Sequence, residues 1–211
     1  MSTVQPILNL VEHLTSAPGG QPNPITAGLL LSWLAYPLQQ PNGKLTKALV
    51  LRSTRGNGTA MLLDVIGQIH GAAYLPLGSA ELLDEPFNGF LSGRRLVKFD
   101  EVPKSDKRRE QIKALISNPT LQIKTNDYPG RVVLNRLNFI FVTGDISPIS
   151  PCDRRYFVVD TAPPAATKPE LYQELIHWRG RGGAIDFGQY LRQYPLSAEF
   201  LQEHTFGGGA A

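Results

Sequence analysis

Four short apolar runs constrain this chain more than any other feature. They are Ala48-Leu49-Val50-Leu51, Leu96-Val97-Lys98-Phe99 (entered from Arg95), Phe139-Ile140-Phe141-Val142 and Tyr156-Phe157-Val158-Val159. Strands that do not alternate apolar with polar residues are buried on both faces, and such strands belong to parallel sheets covered by helices. Helical stretches lie between these runs, among them Met61 to Ile69 and a charged segment of about Lys104 to Ser117. The pattern predicts a three-layer α/β fold around a mainly parallel sheet.

Two helices precede the first run. Ile7, Leu8, Leu10, Val11 and Leu14 share one helical face, and Asn23-Pro24 opens a second helix carrying Leu29, Leu30, Leu31, Trp33 and Leu34. Residues 1–45 therefore read as a helical lead-in and 46–168 as the α/β core. Residues 169–206 read as closing helices (Glu170–Arg179 and Ala184–Gln193), and Gly207 to Ala211 as a disordered tail. Leu121–Lys124 and Arg131–Leu134 flank the turn residues Asn126-Asp127-Tyr128-Pro129-Gly130 and predict a β-hairpin.

Composition excludes several classes. The 20 glycines and 17 prolines are about 18% of the chain against a usual ~12%, which disfavours a plain helical bundle. A single cysteine, Cys152, rules out an internal disulfide framework and a cysteine-based zinc site. His13, His70, His177 and His204 show no metal-ligand spacing. No segment is long and apolar enough to span a bilayer, and no basic-then-apolar leader opens the sequence, so a soluble, cytoplasmic protein with no membrane partner is expected. A net charge of +3 is compatible with a nucleic-acid partner without demanding one.

The run Ala48–Leu51 ends in Ser53-Thr54-Arg55-Gly56-Asn57-Gly58-Thr59-Ala60 ahead of a helix. Strand, glycine-rich loop and helix together form the layout that cradles phosphates on backbone N–H groups and a helix N-terminus. The complete motif ends Gly-Lys-Ser/Thr, with the lysine on the phosphates and the hydroxyl on magnesium. Here those positions are Gly58, Thr59 and Ala60. Arg55 either stands in for the missing lysine or is a solvated loop arginine. The second run ends in Asp100-Glu101, a carboxylate pair of the kind that orders magnesium and polarises an attacking water. The third ends in Thr143-Gly144-Asp145, where a sensing polar residue would sit. Asp153-Arg154-Arg155 then places two arginines before the fourth run.

This ordered set resembles the superfamily-three AAA+ helicases, specifically the helicase domain of phage and plasmid primase–helicase proteins. Trp33-Leu34-Ala35, Phe87-Asn88 with Leu91, Asp153-Arg154-Arg155-Tyr156, and Gly182-Gly183-Ala184 with Tyr190-Leu191 are similar to motifs of that family. The resemblance implies a P-loop NTPase core that binds ATP and Mg2+ and assembles as a homo-oligomeric ring on single-stranded or forked DNA. It assigns Arg55, Gly56, Asn57, Gly58 and Thr59 to the nucleotide, and Asp100 and Glu101 to magnesium and water. Asp145 takes the sensing position, and Arg154 or Arg155 reaches a neighbour's nucleotide. The hairpin would enter the ring channel, with Lys124 and Arg131 on phosphates and Tyr128 stacked on a base.

Two departures from the family bear on activity. Thr59-Ala60 replaces Lys-Ser/Thr, and Gly144-Asp145 replaces Ser-Asn. The first deletes a cation, the second adds an anion, and a charge-assisted contact is typically worth ~1.5–3 kcal/mol. Weak ATP binding and little hydrolysis are expected. The alternative is a non-enzymatic DNA-binding or assembly module that keeps the AAA+ shape. Lys98 either pairs with Asp145 across neighbouring strands or snorkels at the sheet edge. The basic run Lys104, Lys107, Arg108 and Arg109 is either a solvated helix face or a DNA surface.

Overall fold

The computed structural model describes residues 4–17, 20–79, 83, 87–125, 130–164 and 169–206. The tail at 207–211 and the hairpin tip at 126–129, with Tyr128, lie outside the described residues. The chain runs α1 (Gln5–Thr15), α2 (Pro24–Gln39), β1 (Ala48–Arg52), α3 (Thr59–His70), β2 (Tyr74–Leu77), β3 (Leu96–Phe99) and α4 (Asp106–Ser117). It continues through β4 (Thr120–Ile123), β5 (Arg131–Leu134), β6 (Asn138–Thr143), β7 (Tyr156–Asp160), α5 (Pro169–Gly180), α6 (Gly183–Gln193) and α7 (Ala198–His204).

The non-alternating strands form the expected parallel sheet. It has five strands in the order β2-β3-β6-β1-β7, and every neighbouring pair is parallel. Successive side chains still point to opposite faces. Leu49, Leu51, Leu96, Ile140 and Val159 join one buried cluster with α1, α2, α3, α5 and α6. Val50, Val97, Phe99, Phe139 and Phe141 join the other, under α4 and the antiparallel β4–β5 ribbon. On that second face Phe99 stacks on Phe139 and Phe141, with centroids 6.3 and 5.3 Å apart. Trp33 of α2 is fully buried and donates its indole N–H to Lys47 O at 2.9 Å, fixing α2 to the entrance of β1. Asn23 caps α2 as expected, accepting from Thr26 N at 3.1 Å.

Two elements were not anticipated from sequence. β2 is a four-residue edge strand, Tyr-Leu-Pro-Leu, whose Pro76 and half-exposed pattern mask its strand character; proline is tolerated there because an edge leaves N–H groups unused. α7 is a seven-residue helix capped by Ser197, which accepts from Phe200 N at 3.1 Å. It returns the chain to β1 through Thr46 N to His204 O at 2.7 Å. No helix among the described residues is long and apolar enough to cross a membrane.

Lys44 is buried just ahead of β1, at 6% exposure. Its Nζ donates to Leu115 O at 2.9 Å and Leu137 O at 2.7 Å, tying α4 to the start of β6. Burial lowers its pKa from 10.5 to about 7, and a neutral amine still has the two N–H groups those carbonyls need. The folded state then releases this proton near pH 7 while the unfolded chain keeps it to 10.5, so stability rises with pH between those values. Urea unfolding from about pH 7 to about pH 9 should show this rise, at up to about 1.4 kcal/mol per pH unit. The rise should be absent from Lys44→Met.

Candidate functional site: a glycine loop cleft at the carboxyl edge

Because every strand is parallel, the residues that follow them gather along one edge, where open α/β sheets bind ligands. A cleft of about 960 Å3 opens there. Its walls include the 53–60 loop after β1, Asp100 and Glu101 after β3, and Thr143 and Gly144 at the end of β6. The structure thus brings Arg55, Gly56, Asn57, Gly58, Thr59, Asp100 and Glu101 to one place. Tyr74 and Pro76 of β2 and Tyr172 of α5 complete the lining, none of them anticipated from sequence.

The loop is held from within by Asn57, which is 1% exposed. Its Nδ2 donates to Thr161 Oγ1 at 2.7 Å and Ala162 O at 3.1 Å, just past β7. Its Oδ1 accepts from Thr59 N at 3.2 Å and Thr59 Oγ1 at 2.9 Å, and Ser53 Oγ lies 3.0 Å from both side-chain oxygens. Both amide hydrogens and the carbonyl oxygen are therefore engaged inside the protein. Asn57 borders the cleft, but its side chain pins the loop to β7. Gly56 (φ 83°) and Gly58 (φ 95°) turn the chain around it. A Cβ on Gly58 would also meet Leu10 Cδ1 of α1 at 2.5 Å. From α5, Tyr172 donates its hydroxyl to Gly56 O at 3.0 Å.

Thr59 occupies the lysine position of the phosphate loop. It is 3% exposed, and its hydroxyl faces Asn57 and Ser53 rather than the cleft. Ala60, in the magnesium-hydroxyl position, is exposed and offers no oxygen. Two cations, Arg55 and Lys98, line the cleft against three carboxylates, Asp64, Asp100 and Glu101. Lys98 is already paired with Asp100, and Asp64 with Arg179 at 2.9 Å. Among the described residues no group of three or more His, Cys, Asp or Glu is placed to hold a metal ion. A helix N-terminus and a glycine loop are present, but the donor set does not fit a magnesium nucleotide held in the usual way.

Asp145 sits at the rim. Lys98 does not reach it, because its own strand supplies Asp100 two residues on, along the same face. Asp145 instead accepts from Ser147 N at 2.9 Å and lies 3.8 Å from Lys104. The Ser147 hydrogen bonds, then the Lys104 charge, hold its carboxyl below the usual range.

The remaining sequence-selected residues lie elsewhere. Arg154 and Arg155 precede β7, at the opposite edge of the sheet. Arg155 is held in its own chain: its Nε and Nη2 donate to Asp153 Oδ1 and Oδ2 at 2.8 and 3.1 Å. Burial pushes the Asp153 carboxyl up, but hydrogen bonds and charge from Arg155, with the Lys113 charge, outweigh it and leave the pKa lowered. Arg154 is exposed. Lys124 and Arg131 are exposed on the β4–β5 hairpin, which Asn88 clamps by donating to Gln122 O at 2.9 Å and accepting from Lys124 N at 2.7 Å.

A family of unknown function, DUF5906, matches residues 51–155, from the end of β1 to the start of β7. Among curated proteins none matches the sequence. An apo structure of the NrS-1 C-terminal region (residues 305–718) is similar at a TM-score of 0.74 and 24% identity, over 93% of this chain and 47% of that one. The A-form apo structure of the same region gives 0.76 and 23%, again over 93% and 47%. The chain spans about half the length of these structures, and the likeness establishes a shared fold.

Asn57→Ala should strand Ala162 O and Thr59 N without partners and leave Thr161 Oγ1 only its bond to Arg52 O. A loss of roughly 2–3 kcal/mol in urea unfolding is expected, larger than for a surface substitution such as Thr54→Ala.

Proposed function

We propose that this chain is a helicase-type domain of a phage or mobile-element replication protein, of the superfamily-three AAA+ kind, whose ATP site is degraded. Three features support the reading. The strand leading into Asp100 and Glu101 is separated from the loop strand by β6, whose end at Thr143 and Gly144 lines the same cleft next to Asp145. The fold is shared with the C-terminal region of NrS-1, a phage primase–helicase. The hairpin presents Lys124 and Arg131 to solvent, as a contact to single-stranded or forked DNA requires.

The observation that carries the degraded-site reading is Thr59, buried and bonded inward where a phosphate-contacting lysine belongs. With Ala60 beside it and carboxylates outnumbering cations along the cleft, the site lacks the charge to hold ATP and Mg2+ tightly. Asp100, Glu101 and Asp145 keep their places without a nucleotide to act on. The domain then contributes DNA contact and assembly rather than hydrolysis. Arg154, exposed at the edge away from its own loop, is the arginine available to a neighbouring subunit's cleft in a homo-oligomeric ring, while Arg155 is committed to Asp153. Such a protein works in the soluble, cytoplasmic compartment where replication takes place.

Phosphate release from ATP, with Mg2+ and single-stranded DNA, should stay at background. Thr59→Lys with Ala60→Ser should tighten nucleotide binding on the order of 10-fold or more, as expected for one restored charge-assisted contact. Turnover of the unmodified chain at an ordinary helicase rate would overturn the degraded-site reading.

A further inference from the structure

The amino edge of the sheet differs from the carboxyl edge in charge. Arg95 leads into β3, Arg136 into the neighbouring β6, and Arg154 into β7, one strand further on beyond β1. Three inter-strand steps of about 4.8 Å spread them over roughly 14 Å. Beyond the β2 end, Arg192 of α6 acts together with Arg95 on His70, whose pKa falls to about 4 chiefly through burial and secondarily through these two charges. On the outer side Arg131 of the hairpin reaches Ser92 Oγ at 3.5 Å, three residues before Arg95.

Among the described residues none of these five arginines is within ion-pair distance of a carboxylate. Some other cations have carboxylate partners, as in Lys98–Asp100, Lys104–Asp145, Lys113–Glu110 and Arg179–Asp64, while Arg55 and Lys124, like the five, have none among the described residues. Acids near this edge are engaged, Asp153 by Arg155, Glu110 by Lys113 and Glu203 by Lys47 at 3.6 Å. A row of like charges without carboxylate partners among the described residues raises the local potential and is relieved by a polyanion.

We infer that Arg131, Arg95, Arg136, Arg154 and Arg192 line a phosphate-backbone track along the amino edge of the sheet, binding nucleic acid on the side opposite the glycine-loop cleft, with Arg154 serving the track in the free chain and a neighbour's cleft where copies assemble. The track extends the hairpin contact of the proposed function and needs no nucleotide. A duplex presents one phosphate per 3.4 Å of axis on each strand, so the 14 Å between Arg95 and Arg154 faces roughly four phosphates of a strand. Binding is independent of base sequence, because guanidinium groups at a sheet edge meet phosphates and not base edges.

The test is fluorescence anisotropy with a labelled thymidine strand of about 20 nucleotides over a salt series, beside a duplex of the same length. Arg136→Ala with Arg192→Ala removes two exposed cations that touch neither the cleft nor the hairpin. It should weaken single-strand binding on the order of 10-fold at low salt and lower the log–log salt slope by about 1.4. Arg154→Ala should lower it by about 0.7 more. The duplex arm reports which form of the backbone the track prefers. If Arg136→Ala/Arg192→Ala binds like the unmodified chain while Lys124→Ala/Arg131→Ala is weakened, the track is wrong and the hairpin reading stands. If the edge variants change only the sedimentation coefficient, the edge is a contact between copies of this chain, and the inference is likewise overturned.

Discussion

The carboxamide of Asn57 is the interaction on which the cleft depends. A loop with two positive-φ glycines has little intrinsic preference for one shape, and its conformational entropy opposes any single one. The amide answers this by joining three segments at once: the loop itself, the start of α3 through Thr59, and the exit of β7 through Thr161 and Ala162. α1 and α5 then press on the outside, through Leu10 against Gly58 and Tyr172 on Gly56. The helical lead-in and the closing helices thus shape a loop that lies between them in sequence. The loop's shape is thus set by bonds within the chain.

The parallel sheet gives the molecule two chemically distinct edges. Carboxylates collect where strands end, at Asp100, Glu101, Asp145 and Asp160, and arginines collect where strands begin, at Arg95, Arg136, Arg154 and Arg155. The sorting is partial, since Arg52 ends β1 and Arg55 follows it at the carboxyl edge, and Asp153 precedes β7 at the amino edge.

The strands were legible because burial on both faces leaves an unmistakable run of apolar residues, as in Phe139–Val142. β2 was not, since an edge strand needs only one buried face and tolerates Pro76. Convergence of Gly56–Thr59 with Asp100 and Glu101 was readable from order alone, because parallel strands deliver their carboxyl ends to one side. The inward turn of Thr59 and the full engagement of Asn57 were not, as both depend on Thr161 and Ala162, about a hundred residues away. Lys98, read as either pairing with Asp145 or snorkelling at the sheet edge, pairs with Asp100 instead, because a partner on its own strand costs less ordering than one across the sheet. Trp33 and Asn88, picked out by family resemblance, hold α2 to β1 and the hairpin to the 88–92 segment; both are structural anchors.

Amide hydrogen exchange across residues 54–60, with and without millimolar Mg-ATP, measures most directly whether the protein or a nucleotide shapes this loop. The Asn57 network predicts strong protection of the Thr59 amide in the free protein, left unchanged by Mg-ATP and lost in Asn57→Ala. A loop that exchanges freely alone and becomes protected only when Mg-ATP is added would contradict it.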